Sequence, residues 1–350
     1  MKSRPDLHHV LASVAAPDAP ESLLVATVLR AEGSTPVDAG AKAVIGARGL
    51  VAGTIGGGAV EAEALRRAEV MLHSGTSAVF DFALQGPGGT DPNPICGGLM
   101  RVLLQPLTAE DRCAYVAADH ALTHRRRGVL ETCISRNGSS IAQSCWVEDI
   151  HEPPWREAVV SPRVTHIPHS EETGERLLEP VLPRPVLLIV GAGHVGQALA
   201  AQAVLAGFDL AVIDDRADLM EPEGFPAGTR LLTGEIPGTV RDFPLDADTY
   251  VVLATRGHLA DGQALTQCLR RPAAYLGMIG SRRKIVLMRQ HFLTNGLATA
   301  EEFDRVHAPI GLDIGAETAP EIATSILAQM IAVRRGAGKA GQTRTWAHLK

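Results

Sequence analysis

The chain has no excess of basic charge: 33 Lys and Arg stand against 39 Asp and Glu, a formal net charge of −6 with a pI near 6.1. Binding nucleic acid irrespective of sequence needs a basic face that displaces counterions from phosphates, so that class is set aside. No run reaches the roughly 20 apolar residues of a membrane span. The opening MKSRPDLHHVLASVAAPDAP has no continuous apolar stretch of the secretory kind. The expectation is a cytoplasmic protein whose partners are neither nucleic acid nor membrane. Cysteine is also scarce: Cys96, Cys113, Cys133, Cys145 and Cys268 are scattered, odd in number and form no C-x-x-C pair. That spacing points to neither a zinc site nor a disulfide framework. The 13 histidines include no H-E-x-x-H, and aromatics amount to only 4%.

What is present is the composition of a globular protein, 45% apolar and 21% charged, with 35 glycines and 22 prolines that imply many tight connections. A length of 350 residues accommodates two ordinary domains. Residues 1–150 read as an α+β domain: a buried strand (SLLVATVLR), a hairpin (AKAVIGARGLVAGTI), a helix after Gly56-Gly57-Gly58, further strands, then a helix and two strands over 109–148. Residues 151–183, rich in proline and carboxylates and poor in periodicity, read as a linker. From 184 to 336 apolar strands alternate with helices, the pattern of a doubly wound, Rossmann-like parallel sheet. Residues 337–350 are a tail.

Several motifs carry chemistry. Gly191-Ala192-Gly193-His194-Val195-Gly196 follows a strand and opens a helix, as the dinucleotide fingerprint requires, and Asp214 ends the next strand where a carboxylate would meet a ribose hydroxyl. The same loop also suits other phosphorylated ligands. TRGHLAD and GSRRK both follow strands and belong at the carboxyl edge of the sheet, making His258, Asp261, Ser281 and Arg282 candidate site residues. Cations in the first turn of a helix oppose its dipole; an anionic ligand or neighbouring carboxylates would relieve that conflict. Thr318 and Glu321 form a T-x-x-E cap with Pro320 in the first turn, which leaves the preceding Gly311, Asp313, Gly315 and Glu317 unexplained by capping. In the first half, strand–GGG–helix aims several N–H groups from one helix start, an anion cradle to which Lys42 of the hairpin could add charge. Cys96 stands before Gly97-Gly98, where free N–H donors would favour a thiolate.

Together GSTPVDAGAK, GTIGGGAVEAEAL, ICGG, GAGHVGQAL, VIDDR, TRGHLAD, MIGSRRK and APIGLDIGAETAPEIATSILAQMIA resemble the XdhC/CoxI family of xanthine dehydrogenase accessory proteins. The resemblance covers about residues 22–107 and 184–335. It implies a cofactor-binding chaperone more than an enzyme. Such a protein would hold the molybdenum cofactor, a phosphorylated pterin dithiolene, while a cysteine desulfurase replaces an oxo ligand on molybdenum with sulfide. It would then deliver the cofactor to an apo molybdenum hydroxylase of the xanthine dehydrogenase type. A homodimer is implied as well. Carried onto this chain, the matched positions are Ser34, Pro36, Gly40, Gly56, Gly57, Gly58, Glu61, Gly191, Gly193, Gly196, Asp214, Gly280, Ser281, Arg282 and Glu317, with Cys96, His258 and Asp261; Lys42 of the hairpin joins the expected cofactor-binding set. Cys96 would handle sulfur or contact molybdenum, with His258 and Asp261 as further polar site residues. Val37 stands where family members often have a basic residue. The alternative is an NAD(P)-dependent oxidoreductase using GAGHVG and Asp214, with His258 as acid–base group.

Overall fold

The structure, a computed structural model, describes residues 7–84, 98–135, 141–148, 150–159, 163–170 and 174–336. The chain divides into two compact units, Met1–Pro183 and Arg184–Lys350.

The first unit runs α1 (Leu7–Ala15), β1 (Leu23–Glu32), β2 (Lys42–Gly46), β3 (Gly49–Gly53), α2 (Gly58–Ser74), β4 (Ala78–Ala83) and β5 (Leu99–Pro106). It continues with α3 (Ala109–Thr123), β6 (Gly128–Ser135), β7 (Ile141–Val147), α4 (Trp155–Ala158), β8 (Thr165–Ser170) and β9 (Gly174–Val181). Its first sheet has the order β3-β2-β1-β5-β4 and its second β7-β6-β9-β8; all pairs are antiparallel. The strand β1 is central and covered on both faces. Leu24, Ala26 and Val28 join Val60, Ala64 and Ala68 of α2, while Leu23 and Val25 join Val10 and Leu11 of α1 and Tyr115 of α3. That is why Leu23–Leu29 is apolar at every position but Thr27 rather than alternating. The helix α2 ends on Gly75 in the left-handed region (φ 66), the stop expected for glycine there.

Residues 151–183 are not a linker. The strand β9 pairs with β6 from Val181 to Glu175, and Leu177 and Leu178 are fully buried. Two of the carboxylates in this stretch are buried against partners: Glu175 beside Arg101 and His166, Glu179 beside Lys42. Paired buried charge defeats a reading based on hydrophobic pattern. The expected tail, residues 337–350, lies outside the described residues.

The second unit runs β10 (Val186–Val190), α5 (His194–Leu205), β11 (Asp209–Asp214), β12 (Arg230–Thr233), α6 (Ile236–Asp242) and β13 (Thr249–Leu253). Then follow α7 (His258–Cys268), β14 (Tyr275–Met278), α8 (Arg282–Thr294), α9 (Ala300–Asp304) and α10 (Ala319–Arg334). Its sheet is parallel throughout, in the order β12-β11-β10-β13-β14. Alternate residues of β10 enter opposite cores: Leu187 and Ile189 pack with α5 and α10, Leu188 and Val190 with α6, α7 and α8. A sheet buried on both faces places the loops after β10, β13 and β14 at one edge.

Candidate functional site

Three motifs of the first unit converge. A Cβ on Gly56 would lie 2.5 Å from Pro36 Cγ, and one on Gly98 would lie 2.4 Å from the Ser34 carbonyl oxygen. The GGG loop and the glycine end of the Cys-Gly-Gly loop therefore both rest on the Gly33–Pro36 turn. Cys96 itself lies outside the described residues. Gly57 and Gly58, with φ of 67 and 56, face open space: an added Cβ at either meets nothing within 4 Å. Gly57 caps α2 and supplies no side-chain acceptor to the first-turn N–H groups, so these are available to an anion. Within the Gly33–Pro36 turn the Thr35 hydroxyl is buried, with no hydrogen-bond partner among the described residues. An orphaned hydroxyl of that kind costs about 1–3 kcal/mol unless a ligand satisfies it.

Glu61 turns back onto its own loop. Its Oε2 accepts from Thr54 Oγ1 at 2.8 Å and from the Ile55 N–H at 3.3 Å, while Thr54 Oγ1 accepts from the Gly56 N–H at 3.0 Å. It braces the cradle and holds the loop's conformation. Lys42 does not belong to the cradle, contrary to the expectation. Its Nζ lies 2.8 Å from Glu179 Oε2 and 2.8 Å from Thr27 Oγ1, with 1% of the side chain exposed. Burial alone would push this ammonium down; the Glu179 carboxylate and the Tyr115 phenol outweigh it and hold Lys42 above its ordinary 10.5. Val37 is likewise a core residue, packed among Val28, Ala41 and Val60.

In the second unit the glycines do what the fingerprint demands. A Cβ on Gly191 (φ 122) would lie 2.3 Å from the Ala254 carbonyl oxygen, so the loop after β10 touches the loop after β13 at the point where strand order reverses. A Cβ on Gly196 would lie 2.0 Å from the Gly191 carbonyl oxygen, which is the close approach of helix to strand. Gly193 caps α5 and faces open space. Asp214 is otherwise engaged. It accepts from the Ala192 N–H at 2.7 Å, the Arg216 N–H at 3.0 Å, and Arg216 Nε and Nη2 at 2.8 and 2.7 Å. A ribose hydroxyl would have to displace a bidentate guanidinium. Burial alone would raise this carboxyl, yet Arg216 and the two backbone donors outweigh it and keep it below 3.8.

Asp261 is fully buried and accepts from Thr255 Oγ1 (2.6 Å), the Thr255 N–H (3.1 Å) and Lys284 Nζ (2.8 Å). It ties the loop after β13 to α8; a carboxylate so enclosed has no approach to a substrate, which corrects its expected role at the reacting end. His258 begins α7, and its side chain lies outside what the structure describes. Ser281 caps α8 by accepting from the Lys284 N–H. Arg282 is exposed, its Nη2 3.9 Å from Asp313 Oδ2. The Glu317 N–H donates to Glu321 Oε2 within the capping box of α10, and Glu317 itself is exposed. Among the described residues no group of three or more His, Cys, Asp or Glu comes together as a metal site.

The XdhC Rossmann domain model matches residues 187–330, and the model of the XdhC and CoxI family matches residues 18–83. The chain belongs to the XdhC/CoxI family. Among relatives, the uncharacterized protein YqeB of Escherichia coli is 42% identical over 155 residues, 44% of this chain and 28% of that protein. This XdhC-family chain thus spans little more than a quarter of that relative's length. A Bacillus subtilis protein described as a probable xanthine dehydrogenase subunit is 25% identical over 321 residues, 90% of this chain and 94% of that one. A crystal structure from Bacillus halodurans, described as a xanthine dehydrogenase, shares the fold: TM-score 0.71 and 22% identity, covering 96% of this chain and 98% of that one.

Within this XdhC fold, four residues important to the two loops escape a reading of the sequence: Thr35, Thr54, Arg216 and Thr255. Three are ordinary threonines beside turns, with no spacing to mark them. Arg216 had a signal, since it stands two residues past the Asp214 strand end and can fold back on it.

Proposed function

We propose that this chain is an accessory factor of a xanthine dehydrogenase-type molybdenum hydroxylase, and that its cargo is the molybdenum cofactor. The carrying observation is the convergence of Gly56–Gly58, the Gly33–Pro36 turn and Gly98 around uncapped N–H groups and an orphaned Thr35 hydroxyl. Such a donor set fits the phosphate end of a pterin, which needs N–H groups and little else. Cys96 stands two residues before Gly98 in the sequence, which makes it the residue proposed to handle sulfur or meet molybdenum. The factor would keep the cofactor protected while a cysteine desulfurase supplies sulfur, then pass it to the apo-hydroxylase. The rival reading, an NAD(P)-dependent oxidoreductase, is disfavoured by the engagement of Asp214 with Arg216. No helix among the described residues is long and apolar enough to cross a membrane.

The test is to incubate the purified chain with cofactor released from a molybdoenzyme, and separately with NADH, and to measure what survives gel filtration. Retained pterin, lost on Gly58→Ala, is expected. Cofactor carried by the protein should activate apo-hydroxylase after treatment with desulfurase and cysteine, and Cys96→Ala should reduce that activation. Retained NADH with no retained pterin overturns the proposal.

A further inference from the structure

In the second unit α7 and α8 flank a groove of about 690 Å³. Met288 and Phe292 of α8 form its buried floor, and Leu259 and Leu287 stand on its rims, 68% and 57% exposed. Gly262, in the middle of α7, also lines it. Nothing in the backbone requires glycine there. Its φ is not left-handed, and a Cβ would sit 3.7 Å from Phe292 Cε2 and 3.8 Å from Met288 Cε, ordinary contact distances. Glycine inside a helix is unfavourable relative to alanine. What its missing side chain does provide is depth, because a larger residue at 262 would project into the groove.

We propose that this groove docks an acidic amphipathic helix of a partner protein. The volume alone would also suit a small ligand. A molecule lying in the groove, however, would leave Leu259 and Leu287 uncovered, whereas side chains at i, i+3, i+4 and i+7 of a helix reach floor and rims together. A bilayer surface would bridge the concavity rather than fill it. Charge selects among helices. The lining carries the cations Arg283 and Lys284 and no carboxylate. Asp261 answers Lys284 from within, while Arg283 has no ion-pair partner among the described residues and awaits a carboxylate from outside. A second copy of the same face would meet it with like charge. The docking face and the glycine cradle of the first unit do not depend on each other.

The experiment uses the full chain, a fluorescent amphipathic peptide of Leu, Ala and Glu, a matched peptide with Lys for every Glu, and anionic phospholipid vesicles. The Glu peptide should bind saturably, more weakly as salt rises, and about tenfold more tightly than its Lys counterpart. Gly262→Leu, which fills the groove, and Arg283→Glu should each weaken it about tenfold while melting like the parent. Should Gly262→Leu fail to fold, Leu287→Glu on the exposed rim replaces it. Equal binding of the two peptides, full affinity in the filled-groove variant, or no saturable binding of the Glu peptide overturns the proposal. So does co-sedimentation with vesicles in place of peptide binding, or self-association that Gly262→Leu abolishes, which would assign the face to lipid or to a second copy.

Discussion

Lys42 Nζ and Glu179 Oε2 lie 2.8 Å apart with both side chains 1% exposed. The lysine belongs to β2 of the first sheet and the glutamate to β9 of the second, so one buried ion pair joins the two sheets of the first unit. Removing one partner leaves the other charge stranded in a low-dielectric interior. Lys42→Met should therefore destabilise the unit by about 3–5 kcal/mol, and adding Glu179→Leu should recover much of that loss. Urea unfolding of the single and double variants checks this; a single variant as stable as the parent would refute it.

Asp214 gives a pH dependence. Its carboxyl is depressed in the folded chain below its ordinary 3.8, so the stability it contributes is present above 3.8 and is lost as pH falls through the folded value. Asp214→Asn should cost about 1.5–3 kcal/mol near neutrality. The gap between variant and parent should close well below 3.8. Unfolding curves across that range test the sign, and a gap that widened in acid would contradict it.

The three glycines of the cradle should not be equivalent. Alanine at Gly57 or Gly58 meets no atom but must adopt a positive φ, at a cost of about 1–3 kcal/mol. Alanine at Gly56 has the same difficulty (φ 111) and also collides with Pro36, so its melting temperature should fall furthest. On the proposed function, Gly57→Ala and Gly58→Ala lose pterin retention out of proportion to stability. Thermal melts alongside gel-filtration retention separate the two effects.

Thiol reactivity should divide the cysteines. Burial, chiefly, pushes the Cys133 and Cys268 thiols up to about 12, and the thiolate is the reactive form. Iodoacetamide near neutral pH should label exposed Cys113 while sparing Cys133 and Cys268 until denaturant is added. Peptide mass spectrometry reads the outcome; rapid labelling of Cys268 in the native chain would count against the packing described.

Much of the architecture was legible because it follows from local rules. The parallel sheet announced itself through continuous apolar strands, the glycine loop through strand–GxGxxG–helix, and α10 through Thr318, Pro320 and Glu321. The strands β8 and β9 were not legible. The carboxylates of β9 looked like solvated surface, and only the arrival of Lys42 and Arg101 from distant positions turns Glu179 and Glu175 into core residues.

The candidate site divides along the same line. Which residues could hold an anion is a property of type and spacing: glycines that adopt positive φ, a helix start, a turn of Gly-Ser-Thr-Pro. Which of them face a ligand is set by the partners that the fold supplies, some two residues away and some more than a hundred. Lys42 was drawn into the interior by Glu179, Asp214 was taken by Arg216 and Ala192, and Asp261 by Thr255 and Lys284. The sequence by itself determined the parallel strands, the glycine loops and the cap of α10, because propensity, capping and glycine conformation act over a few residues. Tertiary structure alone decided which charges are spent on one another, because ion pairs form between side chains that folding brings within about 3 Å, whatever their separation along the chain.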